Sequence, residues 1–335
     1  MSQLQVRQVR IDGIEDMRRV LDGPYTSCVA MGSIAPRGSV LHASIGKVDL
    51  RAGQLSADVR IRADIDADNI AFSMKLRPDA PLFSFRSGKE VLPGDIFRLA
   101  RGDVSDVRIA GEIRYAVICL STDLLLQHGG EDALRGDMAF WEQRQWFRAP
   151  QEIRELIATS VSGIISHLSE PHCPVTGPAL RQLQADLIES FLWGVLSDEC
   201  RPCERHGLSS AALVRKVENW VDGRSAETIQ IADVCRGLHI SRRTLHRAFA
   251  ETLGMGPSHY LTRRRLTAVR TELRRCHVGA NTVTDIATKY GFWQLGRFAQ
   301  QYRRLFGERP SETLGRGSKQ IATLDRRGAR AAAWN

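Results

Sequence analysis

Between residues 20 and 120 the apolar positions recur every second residue or in short runs. In SADVRIRADIDAD, Val59, Ile61, Ala63 and Ile65 fall on one side and Asp58, Arg60, Arg62, Asp64 and Asp66 on the other, the two-residue period of a half-buried strand. IAFSMKL and IRYAVICLS are further strand-like runs, and in LPGDIFRLARGD a Pro-Gly turn feeds another. Many short strands with regular turns predict a β-rich barrel or sandwich over about 20–120. From about residue 150 the period becomes helical. Ile153, Leu156, Ile157, Val161, Ile164 and Ile165 make one stripe, and after Pro178, Leu180, Leu183, Leu187, Phe191 and Val195 make another. Two amphipathic helices are expected over about 150–198, either covering the open end of the β domain or pairing between subunits.

The polar stretch SDECRPCERHGLSS then predicts a linker at 199–210. Beyond it a pattern occurs twice. Leu245, Phe249 and Leu253 stand four apart on one helical face, as do Phe298, Tyr302 and Phe306, and each set is followed by Gly, two residues and Pro. The copies lie 53 residues apart, from Gly254 to Gly307 and from Pro257 to Pro310, so one unit is used twice. In each, a short helix, a tight connection and a second helix with a polar outer face describe a helix-turn-helix. Ser241 sits where a helix N-cap belongs, and Gly254 where a helix ends. With Leu245 and Phe249 inward, Arg242, Arg243, His246 and Arg247 point outward. Arg bonds bidentately to guanine O6 and N7, which discriminates bases by about 1–3 kcal/mol per good pair. The outward candidates of the second copy are Gln294, Arg297, Gln300 and Gln301, with Arg303 and Arg304 placed for phosphates. Leu295 and Gly296 have no base-pairing chemistry, so this copy is expected to read fewer bases. Between the copies, PSHYLTRRRLTAVRTELRRC predicts a single long helix, a spacer of about 28 Å at about 1.5 Å per residue, against about 34 Å between successive major grooves.

Charge changes the picture. The net charge is +9, but residues 1–204 carry 23 Lys and Arg against 28 Asp and Glu, while residues 205–335 carry 24 against 10. The basic half therefore expects a polyanion. A hydrophobic content of 43% is ordinary for a globular protein. No run of 18 apolar residues predicts a membrane span. The N-terminus lacks the apolar core of a secretory signal, and seven scattered cysteines fit reduced thiols, so a cytoplasmic protein is expected.

The residues SRRTLHRAF, GMGPSHYL, DIATKYGF and RFAQQYRRLFGERPSE, in this order and spacing over about 208–314, resemble the AraC/XylS family of bacterial transcription regulators. The resemblance implies two helix-turn-helix units joined by a long helix, with base-contacting sites on Arg243, His246 and Arg247 in the first unit and on Leu295, Gly296, Arg297 and Gln300 in the second. EVLPGDIFRL resembles the cupin-like sensory domain of such regulators, which implies a small-molecule effector in the front half and dimerisation through helices such as 151–169 and 178–198. The expected fold is α+β in two domains. A β-rich cupin-like barrel with two helices forms a sensory and dimerisation domain at 1–198, and an all-α DNA-binding domain occupies 211–314, followed by a disordered tail at 315–335.

The effector is unnamed by the sequence. Arg60, Arg62 and Asp64 on the charged face of the first strand are either solvated or part of a site for an anion such as a cyclic dinucleotide. Phe72, Phe83, Phe85 and Phe97 either stack on its base or fill the core. Cys200, Cys203 and His206 have a ligand-like spacing, but no second pair follows at finger spacing, so a linker is expected rather than zinc. No Ser-His-Asp, paired-carboxylate or phosphate-loop spacing occurs, so neither catalysis nor a required cofactor is expected. The reading is a sequence-specific regulator, an activator, with promoter DNA, RNA polymerase, a small-molecule effector and a second copy of itself as partners. The alternative is an effector-independent regulator whose β domain only dimerises or contacts a protein.

Overall fold

Alternation of apolar and polar residues builds the first half into antiparallel strands. The chain is described by a computed structural model over residues 4–20, 27–33, 35–64, 69–77, 82–84, 89–99, 103–125, 127–128, 146–170, 177–197, 208–224, 229–276 and 281–316. It divides into two units, residues 1–28 with 35–206, and residues 29–34 with 207–335.

Ten strands are described in one sheet: β1 (Gln5–Ile11), β2 (Ser27–Ala30), β3 (Arg37–Ile45), β4 (Val48–Asp64), β5 (Asn69–Lys75), β6 (Leu82–Ser84), β7 (Lys89–Val91), β8 (Ile96–Leu99), β9 (Val104–Ser121) and β10 (Trp146–Phe147). A helix α1 (Ile14–Val20) follows β1. The main path is β1-β3-β4-β9-β5-β8-β10, an open series among the described residues. Its spine is the long pair β4 and β9, in register from Asp49 opposite Cys119 to Asp64 opposite Val104. The other edge of β9 pairs with β5 along 115–121 and with β6 along 107–109. The Pro-Gly turn stands before β8 as expected, with Gly94 in the left-handed region at φ +77°.

Helices α2 (Gln151–Leu168) and α3 (Gly177–Leu196) cover one face of this sheet. Ile157, Val161, Leu187 and Phe191 share a core with Leu50, Phe72, Met74 and Ile118. Gly194 makes the approach possible, because a Cβ there would stand 2.6 Å from Ile96 Cδ1 and 2.8 Å from Ile157 Cδ1. The helices therefore cap a sheet face rather than an open end. Residues of β4, β5, β7, β8 and β9 on the other face line a cavity.

The second unit is helical: α4 (Leu208–Asp222), α5 (Ile231–Leu238), α6 (Arg242–Leu253), α7 (Pro257–Arg275), α8 (Val283–Lys289) and α9 (Leu295–Phe306), with a last helical stretch at 310–316. Its first helix begins at Leu208, three residues before the expected start. Residues 199–207 of the expected linker, with Cys200, Cys203 and His206, lie outside the described residues, as does the tail from 317. The fold class is the expected one, an antiparallel sheet-rich domain followed by a helical domain.

Candidate nucleic-acid interface

Each helix-turn-helix is held by local chemistry legible in the chain. Ahead of α5, Asp233 accepts from the Gln230 backbone N–H at 3.0 Å. Ahead of α8, Thr282 Oγ1 accepts from Asp285 N at 3.1 Å while Asp285 accepts from Thr282 N at 2.9 Å, a reciprocal capping box. Bonds from the Thr282 hydroxyl and backbone hold the Asp285 carboxyl below its ordinary value. Ser241 caps α6 by accepting from Thr244 N at 3.0 Å, as expected. Gly254 and Gly307 end α6 and α9 at φ +65° and +73°, the left-handed conformation that a glycine adopts without a steric penalty.

Helix α6 buries Leu245, Ala248, Phe249 and Leu253. That orientation leaves Arg242, Arg243, His246 and Arg247 exposed on the other side. Among the described residues, Arg242, Arg243 and His246 make no hydrogen bond or ion pair, and Arg247 only a 3.9 Å approach to Glu251. An exposed pair of that length is worth little, so all four heads are available to a ligand. Behind them, Tyr260 of α7 donates to the buried Glu218 of α4, and Arg264 of α7 pairs with Asp222. Burial works to lower the pKa of Arg264, but the negative charges facing it outweigh this and raise it.

In the second unit α9 buries Phe298, Tyr302 and Leu305. Phe306, expected inward, is half-buried and covered by the Arg270 guanidinium 4.8 Å from its ring. Gln294, Arg297, Gln300, Arg303 and Arg304 are exposed and Gln301 is half-buried. The unit is anchored on α7 by Arg270 to Glu308 at 2.7 Å and by Lys289 to Glu272 at 2.8 Å. Glu308 also accepts from Thr313 at 2.7 Å and Arg316 at 2.6 Å. Burial works to raise its pKa, but the Thr313 bond and the two arginines hold it below the ordinary value.

The two units differ by one residue. The amide of Ile240 bonds to Cys235 O and that of Phe292 to Ala287 O, both at 3.0 Å, so the first helices and turns match at a spacing of 52. The second helices match at 53, Arg242 with Leu295. The additional residue is Trp293, which is 72% exposed. The mismatch between the two spacings is the sequence signal that marks it.

The front half holds a second candidate site, and it is not the charged face. Arg60 is buried, and its guanidinium grips the buried Asp106 at 2.8 and 2.6 Å, so it is neither solvated nor presented to an anion. Arg62 is half-buried on the same strand, and the Asp64 side chain lies outside the described residues. The cavity is about 160 Å³, and Ile61, Phe97, Leu99, Ile109, Ile113 and Val117 make its walls mainly apolar. Its polar lining residues are Ser73, Lys75, Ser105, Asp106 and Tyr115. Lys75 is buried with Nζ 3.5 Å from Val91 O. Burial pushes the Tyr115 hydroxyl far above its ordinary value. Sequence reading missed Lys75 and Tyr115, because the strands that bring them together are distant in the chain.

A family model described as a helix-turn-helix domain matches residues 234–316. The XylDLEGF operon transcriptional activator of Pseudomonas putida is 33% identical over 107 residues, 32% of this chain and 33% of that one. The probable thc operon regulatory protein of Rhodococcus erythropolis is 33% identical over 102 residues, 30% of this chain and 31% of that one. The chain thus matches about a third of the length of these curated relatives. A solved structure titled a probable AraC family transcriptional regulator from Rhodopseudomonas palustris is 36% identical, covering 32% of this chain and 97% of that chain, with a TM-score of 0.30.

Proposed function

We propose that the whole protein is a sequence-specific transcription activator of the AraC/XylS type whose sheet domain takes a small effector, a reading supported by the likeness of its helix-turn-helix region to the XylDLEGF operon transcriptional activator. The observation that carries this reading is the outward set Arg242, Arg243, His246 and Arg247 on a helix whose other side is fully buried. A helix presented in this way enters the major groove with its first residues at the base edges. Arg303 and Arg304, in the last turn of α9, take phosphates. The 19-residue α7, about 28 Å long, spaces the two units for neighbouring grooves. RNA polymerase is the proposed protein partner at the promoter.

Replacing Arg247 by Ala tests the reading. Affinity for a selected promoter fragment should fall by about 1–3 kcal/mol, with a much smaller change on random DNA of equal length, in titrations at fixed salt. Equal losses on both would reduce Arg247 to a phosphate contact and remove the base readout.

The effector is proposed for the cavity walled by Ile61, Phe97 and Ile113 rather than for Arg60 and Arg62. A volume of about 160 Å³ is below the roughly 300–1,000 Å³ of sites for drug-sized ligands. It suits a small, mainly apolar molecule and is too small for a cyclic dinucleotide. Binding would act by favouring one conformational state over another. A rise in melting temperature with such a ligand, lost on filling the cavity by Ala63→Phe, is the expected result; the same rise in that variant would place the ligand elsewhere.

A further inference from the structure

We infer that the second helix-turn-helix reads the 5-methyl groups of thymines through Trp293 and Leu295; this rests on the DNA-binding reading and specifies how its second half works. The first residues of a recognition helix are those that meet base edges. At those places α6 offers Arg242 and Arg243, whereas α9 offers Leu295 and Gly296. Trp293, the additional residue of the turn, stands two positions ahead of Leu295. The two side chains are 72% and 40% exposed, so neither contributes fully to the core behind them. Between Phe292 and Arg297 there is no charged residue.

Gly296 supports the same conclusion. A Cβ there would meet nothing within 4 Å, and its φ is not in the left-handed region. The fold does not require a glycine at this place, although glycine within a helix is unfavourable. A reason outside the chain remains, namely close approach of the helix backbone to a surface. The groove floor is lined with donors and acceptors, and its one apolar feature is the thymine methyl group. An apolar tip at the start of a helix that carries the exposed Arg297 nearby and Arg303 and Arg304 in its last turn fits that floor with phosphates beside it, and the positive charge favours DNA over an apolar protein patch as the occupant.

Thymine-to-uracil replacement tests this, because it deletes the methyl group and leaves the pairing edge unchanged. Bipartite sites would be selected from random duplexes with the full chain at fixed salt, and each thymine in the half bound by the second unit replaced by deoxyuridine. Wild-type protein should lose about fourfold in affinity for each buried methyl, and Leu295→Ala and Trp293→Ala should each abolish part of that sensitivity. Both side chains are exposed, so the variants should melt as wild type does. Uracil at no cost, or an equal cost in both variants, overturns the inference. So does full DNA binding by the variants with reduced transcription in vitro, which would assign the tip to polymerase. An enriched first half beside an indifferent second half sinks this inference alone. No enriched sequence at all would sink the regulator reading with it.

Discussion

At the scale of single residues, burial decides what a charged side chain can do. Arg60 and Asp106 are 2% and 3% exposed, and two hydrogen bonds make their ion pair bidentate. Such a pair adds little over an apolar substitute, but losing one partner strands the other charge at a cost of about 3–5 kcal/mol. Asp106→Ala should therefore destabilise the sheet domain by about that amount in denaturant unfolding, and a change under 1 kcal/mol would show that water reaches Arg60. Gly296 illustrates the opposite case. With open space around a Cβ at that place, Gly296→Ala should stabilise the helical domain by about 0.5–1 kcal/mol while weakening DNA binding. A gain in both properties would mean that the glycine serves no contact.

At the scale of elements, the anchoring of α9 on α7 sets where the second recognition helix stands. Arg270, Thr313 and Arg316 converge on Glu308. Because its folded-state pKa lies below the ordinary 4.5, the contribution of Glu308 to stability is complete above that value. It is lost as pH falls through the folded-state pKa. Glu308→Gln should cost about 1.5–3 kcal/mol at neutral pH and flatten the loss of stability of the helical domain below pH 4.5, followed by circular dichroism across an acid titration. An unchanged acid profile would assign that loss to other carboxylates.

At the scale of the whole molecule, we propose that the exposed apolar side chains of the sheet domain meet a second copy. Leu156 of α2 and Trp193 of α3 are 52% and 51% exposed. They stand one turn from Ser160 and Ser190, whose hydroxyls meet at 3.2 Å between the two helices, so they share an outer face. A two-fold axis through such a face makes a self-complementary contact, and two copies would present four reading heads to DNA. Leu156→Asp with Trp193→Asp should convert a dimer into a folded monomer in sedimentation and reduce affinity for paired sites. A dimer that survives both changes places the interface elsewhere.

Local periodicity determined much of this protein. The two-residue alternation of β4, the helical stripes of α2 and α3, and the cap and glycine signals around α6 and α9 are short-range features, and a chain displays them before it folds. The outward set on α6 was legible for the same reason, since inward Leu245 and Phe249 fix the opposite side of a helix. Only tertiary structure decided which charges are buried, because Arg60 meets Asp106 across strands 46 positions apart. The same long-range pairing gathered Lys75 and Tyr115 around one cavity, and long-range packing turned α2 and α3 onto a sheet face rather than across an open end. Contacts of that kind depend on which strands become neighbours, and periodicity within a strand carries no information about its neighbours.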